Sequence, residues 1–93
     1  MFTVLYKNNG EHEARLGLAI SKKHCRAAVG RNRLKRLVRE SFRLNRADLK
    51  GLDVVVLNQA AAARASNKAL FDSLRKHWQR CAAARAADTG VAG

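Results

Sequence analysis

The sequence predicts a single small α+β domain with strands and helices in the order β-β-α-β-α, folded as a two-layer sandwich. Three observations carry that prediction. The chain has 93 residues and no Pro, with no segment that could serve as an interdomain linker. Two apolar runs have the period of an α-helix, and three short β-branched or alternating runs precede or separate them. A chain of this size buries only roughly 60 to 65% of the surface its unfolded form exposes, so one modest core is expected.

Phe2 to Tyr6 is β-branched and aromatic, Lys7 to His12 centres on Asn9-Gly10, and Arg15 to Ile20 alternates Leu16, Leu18 and Ile20 with Gly17 and Ala19. This pattern predicts a β-hairpin. Ser21 to Gly30 is expected to be a loop that bends at Gly30 into a helix running from Arg31 to about Arg46. In that helix Leu34, Leu37, Val38, Ser41 and Phe42 share one face. Gly51 marks a break, and Leu52 to Leu57 (LDVVVL) reads as a strand covered on both faces or central in its sheet. Ser66-Asn67 can cap a last helix whose core face is Leu70, Leu74, Trp78 and Cys81. The domain is therefore expected over residues 1–81, with the Ala- and Gly-rich segment 82–93 fraying. A crossover between parallel strands on either side of the first helix would be right-handed by the general rule.

The charge is the strongest functional signal. Nineteen Lys and Arg against seven Asp and Glu give a net charge of +12. Between Lys22 and Lys50 lie eleven of those cations against only Glu40 and Asp48. On a helical wheel Arg31, Lys35, Arg36, Arg39, Arg43 and Arg46 fall within roughly 140° of arc, Asn32 lies among them, and the apolar set is opposite. Arg33 and Glu40 fall on the far shoulder. Like charges at i, i+4 cost a free helix a few tenths of a kcal/mol per pair, and a merely solvated face would interleave both signs. A uniform face rich in Arg, whose planar fork matches phosphate oxygens, points to a nucleic-acid backbone. A basic DNA-binding or ribosomal-type module is the alternative, but a major-groove reader would vary its side chains more along the helix.

Other chemistries find little support. No apolar run is long enough for a membrane span and the start of the chain lacks a signal-peptide pattern, so a cytoplasmic protein is expected, with no membrane partner. Cys25 and Cys81 are read as buried thiols. His77 and Cys81 stand one helical turn apart, but His24-Cys25 does not complete a zinc spacing, so no metal site is assigned. No catalytic side chain is assigned either: the sequence shows no nucleophile–base pair, paired carboxylates or phosphate loop. A protein nuclease acting alone would need one of His12, His24 or His77, or an acid. Phe2, Val4 and Tyr6 share a strand face that could meet unpaired bases or belong to the core.

The run Arg31-Asn32-Arg33-Leu34-Lys35-Arg36-Leu37-Val38-Arg39-Glu40 closely resembles the signature helix of the bacterial ribonuclease P protein component. Arg15 to Lys23 before it, Gly51 to Val56 after it and the Leu- and Trp-bearing last helix extend the resemblance over about residues 2 to 81. The resemblance implies an α/β sandwich related to a ribosomal-protein domain, with a left-handed rather than right-handed crossover. It implies a subunit that binds the catalytic RNA of ribonuclease P and assists removal of the 5′ leader from precursor tRNA. Magnesium would be required by the RNA, without protein ligands. Carried over by position, Arg31, Asn32, Arg33, Lys35, Arg36 and Arg39 face the RNA, with Lys22 and Lys23 before them. Arg26 and Arg43 join this set on charge. The family's N-terminal helix, which helps form a cleft for the tRNA leader, has no counterpart before Phe2. One apolar sheet face is then expected to be uncovered and open to self-association, with Phe2, Val4 and Tyr6 as the cleft candidates.

Overall fold

The structure of the chain, a computed structural model, describes residues 1–10 and 12–92, the side chains of 86–92 apart. Its elements are β1 (Phe2–Asn8), β2 (Arg15–Ala19), α1 (Ala28–Leu44), β3 (Leu52–Asn58) and α2 (Asn67–Ala92), with short 3-10 turns at Arg46–Leu49 and Ala60–Arg64. The α+β class and the element order are as the sequence predicts.

The strand pairing is not. The sheet order is β1-β3-β2: β3 runs antiparallel to β1 and parallel to β2, and the expected β1–β2 hairpin does not form. A two-residue I′ hairpin turn needs positive φ at both central residues. Gly10 has it at 85°, but among the described residues no non-glycine does, Asn9 included. The connection instead crosses the start of β3. The Asn9 N–H donates to the Gly51 carbonyl at 2.8 Å, and the Gly51 N–H donates to the His12 carbonyl at 2.9 Å. Gly51 itself sits at φ 87°, where a Cβ would lie 2.9 Å from the Gly10 carbonyl oxygen, so only glycine fits this crossing. The apolar run of β3 takes the central place and gives each edge strand a partner.

Register then sorts the sheet into two faces. Phe2, Val4 and Tyr6 align with Asn58, Val56 and Val54, and Leu16 and Leu18 with Val54 and Val56. This face meets the helices, and Phe2, Val54 and Val56 are buried in it. The opposite face carries Leu5, Val55 and Leu57 and is open: Leu5 is 56% exposed.

All five residues expected on the core side of α1 (Leu34, Leu37, Val38, Ser41, Phe42) and all four expected on α2 (Leu70, Leu74, Trp78, Cys81) are buried. Helix α1 begins earlier than expected, at Ala28, so Gly30 lies inside it rather than at a bend. A Cβ there would fall 2.9 Å from Cys25 Sγ, and the missing side chain lets the preceding loop pack on the first turn. Helix α1 also ends earlier, at Leu44, which leaves Arg46 in the following 3-10 turn. Ser66 caps α2 as expected, its Oγ accepting the Ala69 N–H at 3.1 Å. The segment expected to fray from residue 82 continues as helix to Ala92; Gly93 lies outside the described residues. Ala is the strongest helix former, and the Arg85 guanidinium donates to the Lys50 carbonyl, tying this part of α2 to the Gly51 turn.

The two helices meet at Trp78. Its ring packs edge-on against Phe42, centroids 5.9 Å apart at 74°, and its Nε1–H donates to Ser41 Oγ at 2.9 Å with both residues buried. Ser41→Ala would leave that indole N–H buried without an acceptor, and a loss of about 1–3 kcal/mol is expected. Urea unfolding followed by emission of Trp78, the only tryptophan, measures it.

His77, on the flank of α2, supplies a pH dependence. Burial first and the neighbouring Arg80 charge second hold its imidazole below the ordinary 6.5. The unfolded chain therefore takes up a proton at a higher pH than the folded one, and stability falls as pH drops through 6.5 toward the folded value. Urea midpoints taken from about pH 7.5 to about pH 5.5 should decline, and His77→Gln should flatten that decline.

Candidate nucleic-acid interface

The basic face of α1 divides into arginines that are held within the protein and cations that are not. Arg31 Nη1 donates to the carbonyls of Cys25 and Arg26 at 3.0 and 2.6 Å, fastening the loop before the helix. Arg33, set apart on the wheel, turns toward α2: Nη2 donates to the Ala65 carbonyl at 2.5 Å and Nε to Asn67 Oδ1 at 3.2 Å. Arg43 pairs with Glu40 at 2.6 Å, which lowers the carboxyl's pKa chiefly through that hydrogen bond. Arg46 pairs with Glu13 at 2.7 Å.

Lys35, Arg36 and Arg39 have no ion-pair or hydrogen-bond partner among the described residues, and neither do the side chains of Lys22, Lys23, Arg26 and Asn32. Together with Asn32 and Arg43, the three unpaired α1 cations line one shallow hollow of about 370 Å³. Six unpaired cations thus lie along the middle of α1 and the loop before it; Lys7, Lys50, Arg64, Lys68, Arg75, Lys76 and Arg80 are likewise without such a partner among the described residues. Glu40 also lines this hollow but is paired with Arg43, and one carboxylate does not balance four cations, so an external anion relieves their repulsion.

The loop cations are placed by a residue that sequence reasoning missed. Asn58, at the end of β3 and 3% exposed, accepts the Ser21 N–H on Oδ1 at 2.5 Å and donates from Nδ2 to the Ser21 carbonyl at 3.3 Å. Ser21 Oγ in turn accepts the Lys23 N–H at 3.0 Å. The sequence shows only an amide closing an apolar strand; once buried, it must find both a donor and an acceptor, and an irregular segment offers them.

The three aromatic-face candidates part company. Phe2 is buried, Val4 is partly buried, and Tyr6 is 45% exposed at the far end of the same face. On the open face Asp53 accepts from Asn9 Nδ2 at 2.8 Å and Arg15 Nε at 2.9 Å, and these bonds hold its carboxyl below the usual range, Asn9 contributing most.

Cys25 and Cys81 are buried and unbridged. Burial pushes the Cys81 thiol up. Among the described residues no three His, Cys, Asp or Glu side chains converge as metal ligands, and no helix is long and apolar enough to cross a membrane.

Asn58→Leu should free the Ser21–Lys23 backbone, seen as faster amide exchange at Ser21 and Lys23 while the core amides of α1 and α2 keep their protection. Arg33→Ala, which removes the Ala65 and Asn67 bonds, should lower stability instead of acting mainly on anion binding.

Residues 1–82 match the family model described as Ribonuclease P. The ribonuclease P protein component of Methylococcus capsulatus is 50% identical over 76 residues, covering 82% of this chain and 59% of that protein. That of Vibrio campbellii is 48% identical over 79 residues, covering 85% and 67%. The chain therefore spans about three-fifths to two-thirds of the length of these curated relatives. Among solved structures, the RNase P protein of Thermotoga maritima superposes with a TM-score of 0.75 at 34% identity, over 85% of this chain and 76% of that one. The RNase P protein of Staphylococcus aureus gives 0.74 at 32%, over 87% and 73%. The family match spans the basic helix and the strands that flank it, the fold is shared, and the chain belongs to the ribonuclease P protein family.

Proposed function

We propose that this chain acts as the protein subunit of ribonuclease P, binding the catalytic RNA and assisting removal of the 5′ leader from precursor tRNA. The observation that carries this reading is the group of unpaired cations on α1, Lys35, Arg36 and Arg39, continued by Lys22, Lys23 and Arg26. These side chains neutralise closely spaced phosphates, and their positions follow the family's signature helix. Hydrolysis belongs to the RNA, which also holds the magnesium; no residue of this chain is assigned to the metal. For the single-stranded leader the open sheet face is the better surface. It sets Leu5, Val55 and Leu57 beside Lys7 and Arg15, whereas Phe2 and Val4 face the helices and only Tyr6 of that trio stays accessible.

The deciding experiment is magnesium-dependent cleavage of precursor tRNA at low salt by the catalytic RNA, with the protein, without it, and with the protein alone. Stimulation only when both are present supports the subunit reading. RNA binding without stimulation favours a basic binding module with no role in cleavage, and activity of the protein alone would overturn both. If roughly five phosphates are engaged, affinity for the RNA should fall with a log–log salt slope of about −3.5 to −4.5. Arg36→Ala and Arg39→Ala should each flatten that slope by about one. Titrations by fluorescence anisotropy at several salt concentrations give the slopes.

A further inference from the structure

Helices α1 and α2 run side by side in the same direction, Arg33 beside Asn67 near their starts and Trp78 against Phe42 further along. Between the two starts lies a groove of about 560 Å³. Its apolar lining includes Leu37 and Phe71, the latter only partly buried against the core. Two amides border it. Asn32 is exposed and has no partner among the described residues, and Asn67 accepts Arg33 on Oδ1, which leaves its NH2 group to donate. Arg36 belongs both to this groove and to the neighbouring hollow that holds Lys35 and Arg39.

An aromatic side chain and a pair of amides in one groove, with free cations in the adjoining hollow, match the parts of a nucleotide. A base stacks on an aromatic ring or is hydrogen-bonded on its edge by amides, while its phosphates rest on Lys and Arg. The charge also sets the orientation. Glu40, paired with Arg43, lines both the groove and the hollow, but Lys35 and Arg39 line the hollow alone. The greater share of positive charge, and with it the phosphate, therefore lies there, and the groove is left to the uncharged base. A base stacked within a continuous duplex does not reach such a groove; a bulged or looped-out one does.

We infer that the groove between the starts of α1 and α2 holds one unpaired RNA base, with Phe71 against the ring and Asn32 and Asn67 at its edge. This rests on the reading of α1 as the phosphate-binding face and adds a preference that the face alone does not supply.

The test compares a blunt RNA duplex with the same duplex carrying a single bulged 2-aminopurine, titrated with the full chain. The bulged RNA should bind about tenfold more tightly, and the fluorophore's emission should fall on binding as its ring stacks. Phe71→Leu, which retains apolar bulk toward the core, and Asn32→Ala should each bring the ratio of the two affinities toward one. Arg39→Ala should weaken both RNAs and leave the ratio alone. Equal affinities for the two RNAs, or a preference that survives both Phe71→Leu and Asn32→Ala, overturns the base pocket while salt-dependent duplex binding preserves the α1 reading. Failure to bind either RNA in a salt-dependent way would remove both. Thermal melts of each variant confirm that the ratio is read on folded protein.

Discussion

The placement of Trp78 sets the geometry on which the rest of the molecule depends. Its indole fills the space between the helices, and its N–H has one acceptor, the hydroxyl of Ser41 in the middle of the apolar seam of α1. A directional bond of this kind fixes rotation as well as distance, which close packing of Leu34, Leu37 and Val38 alone would constrain less sharply. With that rotation set, the cationic side of α1 faces away from the core. The start of α2 then lies where Arg33 can reach Ala65 and Asn67. The external basic face and the groove beside it are consequences of one buried contact.

The same helix shows how a strongly basic surface is tolerated in a small domain. Three of its arginines spend their donors internally, Arg31 on the preceding loop, Arg33 on α2 and Arg43 on Glu40. These are local structural uses of charge, worth little individually where exposed. What is left on the helix is a compact set, Lys35, Arg36 and Arg39, beside a single carboxylate, Glu40, that is already paired with Arg43. Asn58 extends the set by holding Ser21, and through it the backbone of Lys23, against the end of β3. The fold thus sets a run of unpaired cations side by side on α1 and the loop before it, a form that a phosphate backbone can use.

Much of this was legible in the sequence. The core positions of both helices follow from the 3.6-residue period, a property that a dozen residues display without reference to the rest of the chain. The segregation of cations from the apolar seam of α1 is equally local, as is the Ser66 cap. Arg33 was separable from its neighbours by angle alone, although its partners on α2 were not. Asn58 went unnoticed because an asparagine closing a strand looks like turn chemistry until its burial is seen.

The sequence by itself determined the elements, the apolar faces of the helices and the basic character of α1, because each of these is encoded by spacing within a short segment. Tertiary structure decided which strands pair and which charges remain free. Asn9-Gly10 permits a hairpin locally, but β3 offers an apolar partner to both edge strands, and the sheet takes the arrangement that puts it at the centre. An arginine's role likewise depends on the carbonyl or carboxylate that folding brings within reach of its guanidinium. Partners drawn from distant parts of the chain leave no periodic trace in the sequence, and for that reason only the folded chain distinguishes the arginines that hold the protein together from those whose guanidinium groups stay unpaired.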